Sequence, residues 1–386
     1  MPLAAVPRAG AAGWCEMNIV AVEPVHLHVP LDQPIPPSVA RPLTEALDVH
    51  LVRVSCDDGS AAWGEAWSRE WPALTEAVEL LATVPAGADP LDRGLLWERM
   101  VDRLRLRAEP LPGGAAALSA LDQALWDLAA RSLGLPVYQL LGGRRLARLD
   151  TYATGLYLEA PDVLAAKARQ FLDRGFRSIK MKVGADPEQD IAAVRAVKDA
   201  VGPQTRLMVD ANQAWTDRDT ALRMCIELSR YELFWIEEPM PPTDWSDYVA
   251  LRNAVDTPIA GGETLRNPGQ FRAAFEVGAL DVAMPDVRLC GGITGLLHIA
   301  SLARWFGVQV SPHNWASPLG AVASSQAAVT LANCNLTEVE ATETPLSREL
   351  IDPPLTFEDG FLILPEGPGF GVTINEDFVA RHRADD

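Results

Sequence analysis

Eight short apolar runs alternate with helix-patterned segments between residues 149 and 340, and six of the runs end in an acid or a histidine. The runs are LDTYATG, SIKMKV, TRLMVD, FWIEE, PIAGG, LDVAMP, VQVSP and LTEVE. Their polar ends, Asp210, Glu237, Glu263, Asp286, His313 and Glu338, follow one another at intervals of 23 to 27 positions. That interval is close to one βα unit of a barrel, roughly 30 residues when about 250 are shared among eight. Strands alternating with helices call for a parallel sheet, and eight such units close into a (β/α)₈ barrel. A single run such as FWIEEPMPP reads as well as a buried strand entering a surface loop. The recurrence weakens that reading, because strand ends of a barrel share one rim.

The chain ahead of the barrel has a different grammar. From residue 17 to about 66 it alternates with period two, in IVAVEPVHLHV and then DVHLVRVSCDDGSAAWGEAW, where DDGS marks a hairpin. Helical periodicity follows in ALTEAVELLATV, DRGLLWERMVDRLRLR and AAALSALDQALWDLAARSLG, the last stopped by Gly134 and Pro136. The expected fold is therefore α/β, a modified (β/α)₈-type TIM barrel with an α+β capping domain. Residues 17–143 are assigned to the cap and 144–350 to the barrel. Residues 351–386 form a turn-rich C-terminal segment that returns to the cap. Residues 1–16, dominated by Ala, Gly and Pro, read as a disordered leader or a misplaced start.

Composition narrows the partners. A net charge of -19 and a pI near 4.7 argue against a nucleic-acid groove or an anionic membrane surface, since both need clustered Lys and Arg. No apolar stretch approaches the roughly 20 residues of a membrane span, and the leader lacks a continuous hydrophobic region. Five scattered cysteines without a C-x-x-C pair favour reduced thiols over a disulfide framework. The protein is expected in the cytoplasm, as a homo-oligomer.

At the shared rim the polar ends become a constellation. Asp210, Glu237 and Glu263 come from strands three, four and five, and hard oxygen ligands in that number suit Mg²⁺. Separate solvated strand ends are the alternative. Glu238 is ambiguous, because adjacent side chains of a strand face opposite ways. Lys180 and Lys182, two apart in SIKMKVG, share a face. Two ammonium groups held together lower one another's pKa, which makes one usable as a general base. Strands six and seven supply Asp286 and His313, a pairing in which the carboxylate fixes the imidazole tautomer. The other histidines, His26, His28, His50, His298 and His382, are weak candidates.

In these residues the chain resembles the mandelate racemase subgroup of the enolase superfamily, over nearly everything from residue 17 to the tail. The resemblance implies that Asp210, Glu237 and Glu263 bind Mg²⁺ and that Lys182, with Lys180 beside it, is the base on one face of the substrate. Asp286 and His313 serve the opposite face. Glu338 is a proton-bearing acid that hydrogen-bonds the substrate carboxylate, and Asn212 in VDANQ lies near the metal and a substrate hydroxyl. The K-x-K motif separates the chain from relatives with K-x-N. MPDVRLCGG lacks the sixth-strand lysine of the muconate-cycloisomerase and dipeptide-epimerase groups.

The implied reaction is Mg²⁺-dependent removal of the α-proton of a 2-hydroxy carboxylate through an ene-diolate. An acid-sugar dehydratase is favoured, with a racemase or epimerase as the alternative. A non-catalytic binding barrel would lack a ligand or base, and none is missing. A metal-dependent aldolase or sugar isomerase barrel would not need a lysine pair facing an Asp–His dyad. The substrate is expected to be a small carboxylate, selected by the cap loops LDQPIPPSVARP and WSREWP with Trp215 and Trp315 near the rim. Arg41 or Arg69 is placed to reach a distal carboxylate.

Overall fold

The computed structural model describes residues 17–106, 110–334 and 336–384. The expected leader, with Cys15, lies outside them. The cap opens with an antiparallel meander of β1 (Ile19–Ile35), β2 (Thr44–Cys56) and β3 (Ala61–Ala66). The period-two pattern sets its register, with Leu27 opposite Val49 and Val54 opposite both Val22 and Ala62. Helices α1 (Trp71–Ala82), α2 (Arg93–Arg105) and α3 (Gly114–Ser132) cover the sheet. α3 is buried along most of its length and packs directly on β3. Gly64 permits that approach, since a Cβ there would stand 1.9 Å from the carbonyl oxygen of Ala120.

All eight expected barrel strands form: β4 (Leu149–Leu156), β5 (Ser178–Lys182), β6 (Arg206–Asp210), β7 (Ile236–Glu237), β8 (Ile259–Gly261), β9 (Val282–Ala283), β10 (Gln309–Val310) and β11 (Leu336–Glu340). Successive strands from β4 to β10 pair in parallel, and β11 closes back on β4 with Glu338 opposite Tyr152. Among the described residues no ladder joins β10 to β11, although the Val310 N–H donates to the Asn333 carbonyl at 2.8 Å. Tyr152, Met208, Trp235, Ala260, Val282, Met284 and Leu336 fill the interior, as barrel cores require. Asp186, Asp217, Asp244, Asn267 and Ser317 each cap the start of a following helix with the side chain.

The cap grips the barrel beside the sixth strand. Asp122 of α3 accepts from the Thr294 N–H at 2.9 Å and its hydroxyl at 2.6 Å, and so caps the helix Gly292–Trp305. The Trp97 indole donates to the Gly291 carbonyl at 2.8 Å.

The tail departs in part from the sequence reading. It forms β12 (Ile351–Asp352), β13 (Thr356–Glu358), β14 (Phe361–Ile363) and β15 (Thr373–Ile374), and β14 pairs antiparallel with β4 of the barrel. The reason is apolar: Phe357 meets Phe176 with ring centroids 5.8 Å apart, and Leu362 is buried opposite Leu149. From Gly369 onward the tail lies on the cap: the Val137 N–H donates to the Gly369 carbonyl at 2.9 Å, Asp127 accepts the Phe370 N–H at 2.7 Å, the Ala384 N–H donates to the His26 carbonyl at 2.9 Å and Arg383 pairs with Glu23.

Candidate active site

Parallel register brings the polar strand ends to one height. Lys182 lies opposite Asp210, Asp210 opposite Glu237, and a parallel bridge joins Asp286 to His313. Ligand oxygens of Asp210, Glu237 and Glu263 all lie within 4.8 Å of one another, and all three residues are buried. Asp210 accepts from the Asn212 N–H at 2.8 Å, and Glu237 from the Trp235 indole at 3.1 Å. Oε2 of Glu263 is buried without a hydrogen-bond partner. An all-oxygen donor set with an orphaned, inward carboxylate oxygen fits a hard divalent cation such as Mg²⁺.

Glu238 answers the ambiguity of the paired acids. Its carboxylate accepts from the Gly262 N–H at 2.6 Å and from the Gln213 side chain, in place of joining the triad. Burial, and then the charge of Glu263, push it up to about 8. Its φ of 44° is the left-handed backbone that turns it away from Glu237.

The two lysines depart from expectation. Burial alone would lower both, yet Glu237 at 2.7 Å and Glu338 at 2.8 Å hold Lys180 well above the ordinary lysine range. Lys182 is likewise raised, because Asp210 at 2.5 Å outweighs burial and the repulsion of Lys180. The mutual lowering read from K-x-K is overridden by carboxylates that the sequence pattern did not place beside each ammonium. Asp210 is correspondingly held well below the usual carboxylate range: burial opposes this, but Lys182 and Lys180 prevail.

Burial would raise Glu338, but Lys180 at 2.8 Å and then His313 bring it below its ordinary value. Its Oε2 accepts the Asn314 N–H at 3.0 Å.

The dyad forms as expected, with His313 Nδ1 at 2.7 Å from Asp286 Oδ2. His313 rises to about 9: burial opposes the shift, and the charges of Glu263 and Glu338 with the Asp286 hydrogen bond produce it. Asp286 sits well below the usual range, since Arg288 and His313 outweigh its burial. Arg288, absent from the sequence candidates, donates to Asp286 through Nε at 3.0 Å and a terminal nitrogen at 2.6 Å.

The cap closes over this rim. Trp67 stacks on the His313 imidazole with centroids 5.4 Å apart. The loop before β2 crosses to the barrel, where the Leu158 N–H donates to the Pro37 carbonyl at 2.9 Å. Arg41 on that loop lies 3.8 Å over the Trp315 ring, and Trp315 in turn donates to the Tyr157 hydroxyl at 3.0 Å. Asn212 stands beside the triad with a buried, unpartnered Oδ1. Arg69 is exposed, and Trp215 is buried in the main core. Among the other histidines, His26 and His28 share Asp48 on the cap, His298 packs edge-on against Trp97, and His382 bonds its own helix. His50 is buried against Trp71. The sequence reading missed Glu65, Trp67 and Arg288 as individual residues. A lone acid inside the apolar strand AAWGEA was the available signal for Glu65.

Comparison with known proteins agrees with this geometry. Residues 21–142 match the mandelate racemase / muconate lactonizing enzyme N-terminal domain, and residues 163–378 match the enolase C-terminal domain-like family. The D-galactarolactone cycloisomerase of Agrobacterium fabrum is 32% identical over 348 residues, covering 87% of this chain and 91% of that protein. The D-gluconate dehydratase of Thermoproteus tenax is 31% identical over 395 residues, covering 98% of this chain and 77% of that protein. A racemase from Streptomyces coelicolor, whose crystal structure holds magnesium, superposes with a TM-score of 0.86 at 28% identity, over 95% of this chain and 100% of that one. The chain therefore belongs to the mandelate racemase subgroup of the enolase superfamily and is an enzyme of lyase or isomerase type.

Proposed function

We propose that this enzyme removes the α-proton of a 2-hydroxy carboxylate and expels a β-hydroxyl, as an acid-sugar dehydratase. One observation carries the reading: an amine and an imidazole flank the carboxylate triad, Lys182 on Asp210 at 2.5 Å and His313 beside Glu263 at 3.4 Å. Asp210, Glu237 and Glu263 would hold Mg²⁺. When bound, the ion supplies positive charge where an oxyanion develops on the substrate carboxylate.

Lys182 takes the α-proton on its face of the substrate, once its ammonium has given up the proton that the Asp210 contact now favours. Lys180, fixed between Glu237 and Glu338, adds positive charge next to the substrate carboxylate. His313, oriented through Nδ1 by Asp286, delivers a proton from Nε2 to the departing β-hydroxyl, which leaves as water. The C–H pair becomes the new double bond as the C–O bond breaks, and the enol so formed ketonises to a 2-keto-3-deoxy acid. Asn212, Trp315 and Arg41 line the substrate side of the rim, with Arg41 presented by a cap loop. The relative named as a D-gluconate dehydratase supports this class.

A second reading is favoured by the same flanking pair. If Nε2 of His313 returns a proton to the α-carbon, the product is the C2 epimer and the enzyme is a racemase or epimerase. Incubation with D-gluconate, D-mannonate and galactarate under Mg²⁺, with product identification by NMR, tests both. A 2-keto-3-deoxy acid supports dehydration, and an inverted hydroxy acid supports epimerisation. Neither product from any 2-hydroxy acid tried would refute both readings.

A further inference from the structure

The Asp286 carboxylate is held from two sides. Oδ1 accepts the Arg288 N–H at 2.8 Å and its Nε at 3.0 Å, while Oδ2 is shared between an Arg288 terminal nitrogen at 2.6 Å and His313 Nδ1 at 2.7 Å. A planar fork of this kind fixes the plane of a carboxylate and not merely its distance. The remaining arm of the guanidinium bridges the cap and the barrel rim. It donates to Oε1 of Glu65 at 3.2 Å and to the Trp315 carbonyl at 2.7 Å.

Glu65 belongs to the cap. Its Oε2 accepts the Gly320 N–H at 3.0 Å, and its backbone is clamped by Gln123, which accepts from the Glu65 N–H at 3.2 Å and donates to its carbonyl at 2.8 Å. The same Gln123 amide donates to the Val287 carbonyl at 3.1 Å, and the Trp67 N–H to the Arg288 carbonyl at 3.1 Å. Glu65 and Arg288 are 3% and 4% exposed, so neither contact is softened by solvent. The ion pairs of Lys180 and Lys182, by contrast, run to Asp210, Glu237 and Glu338, all in the barrel.

We propose that Arg288, anchored by Glu65 of the capping domain, is a positioning residue that holds Asp286 in line with His313, so that the cap sets the acid-base group on one face of the substrate alone. This rests on the proposed role of His313. The cap thereby completes the support of the imidazole face, while the lysine face is complete within the barrel.

The test uses Arg288→Met, Arg288→Lys and Glu65→Gln in the full chain with Mg²⁺. The first readout needs no substrate: the proton shared by His313 Nδ1 and Asp286, observed as a downfield resonance in water and assigned by its loss in His313→Asn. It should vanish in Arg288→Met, exchange with water at least about tenfold faster in Glu65→Gln, and fall between wild type and Arg288→Met in Arg288→Lys, which keeps the charge without the planar fork. Wild-type behaviour in both Arg288→Met and Glu65→Gln overturns the proposal, and Glu65→Gln decides alone if Arg288→Met does not fold. The second readout is α-hydrogen exchange in deuterium oxide with D-gluconate and its C2 epimer D-mannonate. The step served by His313, which is proton delivery to the β-hydroxyl or, in the second reading, exchange of one epimer, should slow about 10²-fold, the cost typical of a misplaced group, while exchange through Lys182 stays within about twofold. Equal loss on both faces overturns the proposal. An inactive wild type counts against the proposed reaction, and the resonance still decides the positioning role.

Discussion

Nε2 of His313 stands 3.4 Å from Oε2 of Glu263, the oxygen that is buried without a hydrogen-bond partner. The dyad and the carboxylate triad thus share an edge, and Glu263 is the member they have in common. Replacing it by Gln keeps the shape and removes the charge. Glu263→Gln should weaken Mg²⁺ binding by about 10²-fold or more, beyond what loss of an outer partner costs. Thermal midpoints measured against Mg²⁺ concentration check this: the wild type should gain stability by mass action, and the variant should stay flat over the same range.

Docking of α3 on the cap sheet depends on the missing side chain at Gly64. A Cβ there meets the Ala120 carbonyl oxygen at 1.9 Å, whereas one at Gly94 in α2 meets nothing within 4 Å. Gly64→Ala should destabilise by about 3 kcal/mol or prevent folding. Gly94→Ala should raise stability by roughly 0.5–1 kcal/mol, because alanine is the better helix former. Urea denaturation of the two variants separates these outcomes.

Asp122 makes the cap–barrel junction sensitive to pH. Burial raises its carboxyl from 3.8 to about 7, with the Thr294 hydrogen bonds and the Arg93 charge opposing. Between those values the folded chain keeps a proton that the unfolded chain has lost, so this group's contribution falls as pH rises through the window. Asp122→Asn does not titrate. Its stability relative to wild type should increase by about 2 kcal/mol from pH 5 to pH 8, read from denaturation curves at both values.

The barrel was legible because each strand ends a spaced apolar run, and the repeat carries its own phase. The triad followed, since register places Asp210 and Glu237 side by side. Charge states were not legible. K-x-K shows two ammonium groups on one face but not the acids that reach them from other strands, and those acids reverse the direction expected for Lys180 and Lys182. Arg288 and Glu65 lie 223 positions apart, so no local pattern joins them. The tail's return was half read, because its turns announce short strands without saying which sheet they extend.

The central claim is that Lys182 and His313, on opposite sides of one metal site, remove the α-proton of a 2-hydroxy acid and protonate its departing β-hydroxyl. Its most direct measurement is hydrogen–deuterium exchange at C2 of D-gluconate and D-mannonate in deuterium oxide, followed by NMR with Mg²⁺ and with a chelator. Wild-type enzyme should exchange at least one of them only when Mg²⁺ is present. Lys182→Ala and His313→Asn should each lose roughly 10²- to 10⁴-fold of the exchange or elimination that depends on that group. Wild-type rates in both variants, or exchange that survives chelation undiminished, would contradict the account.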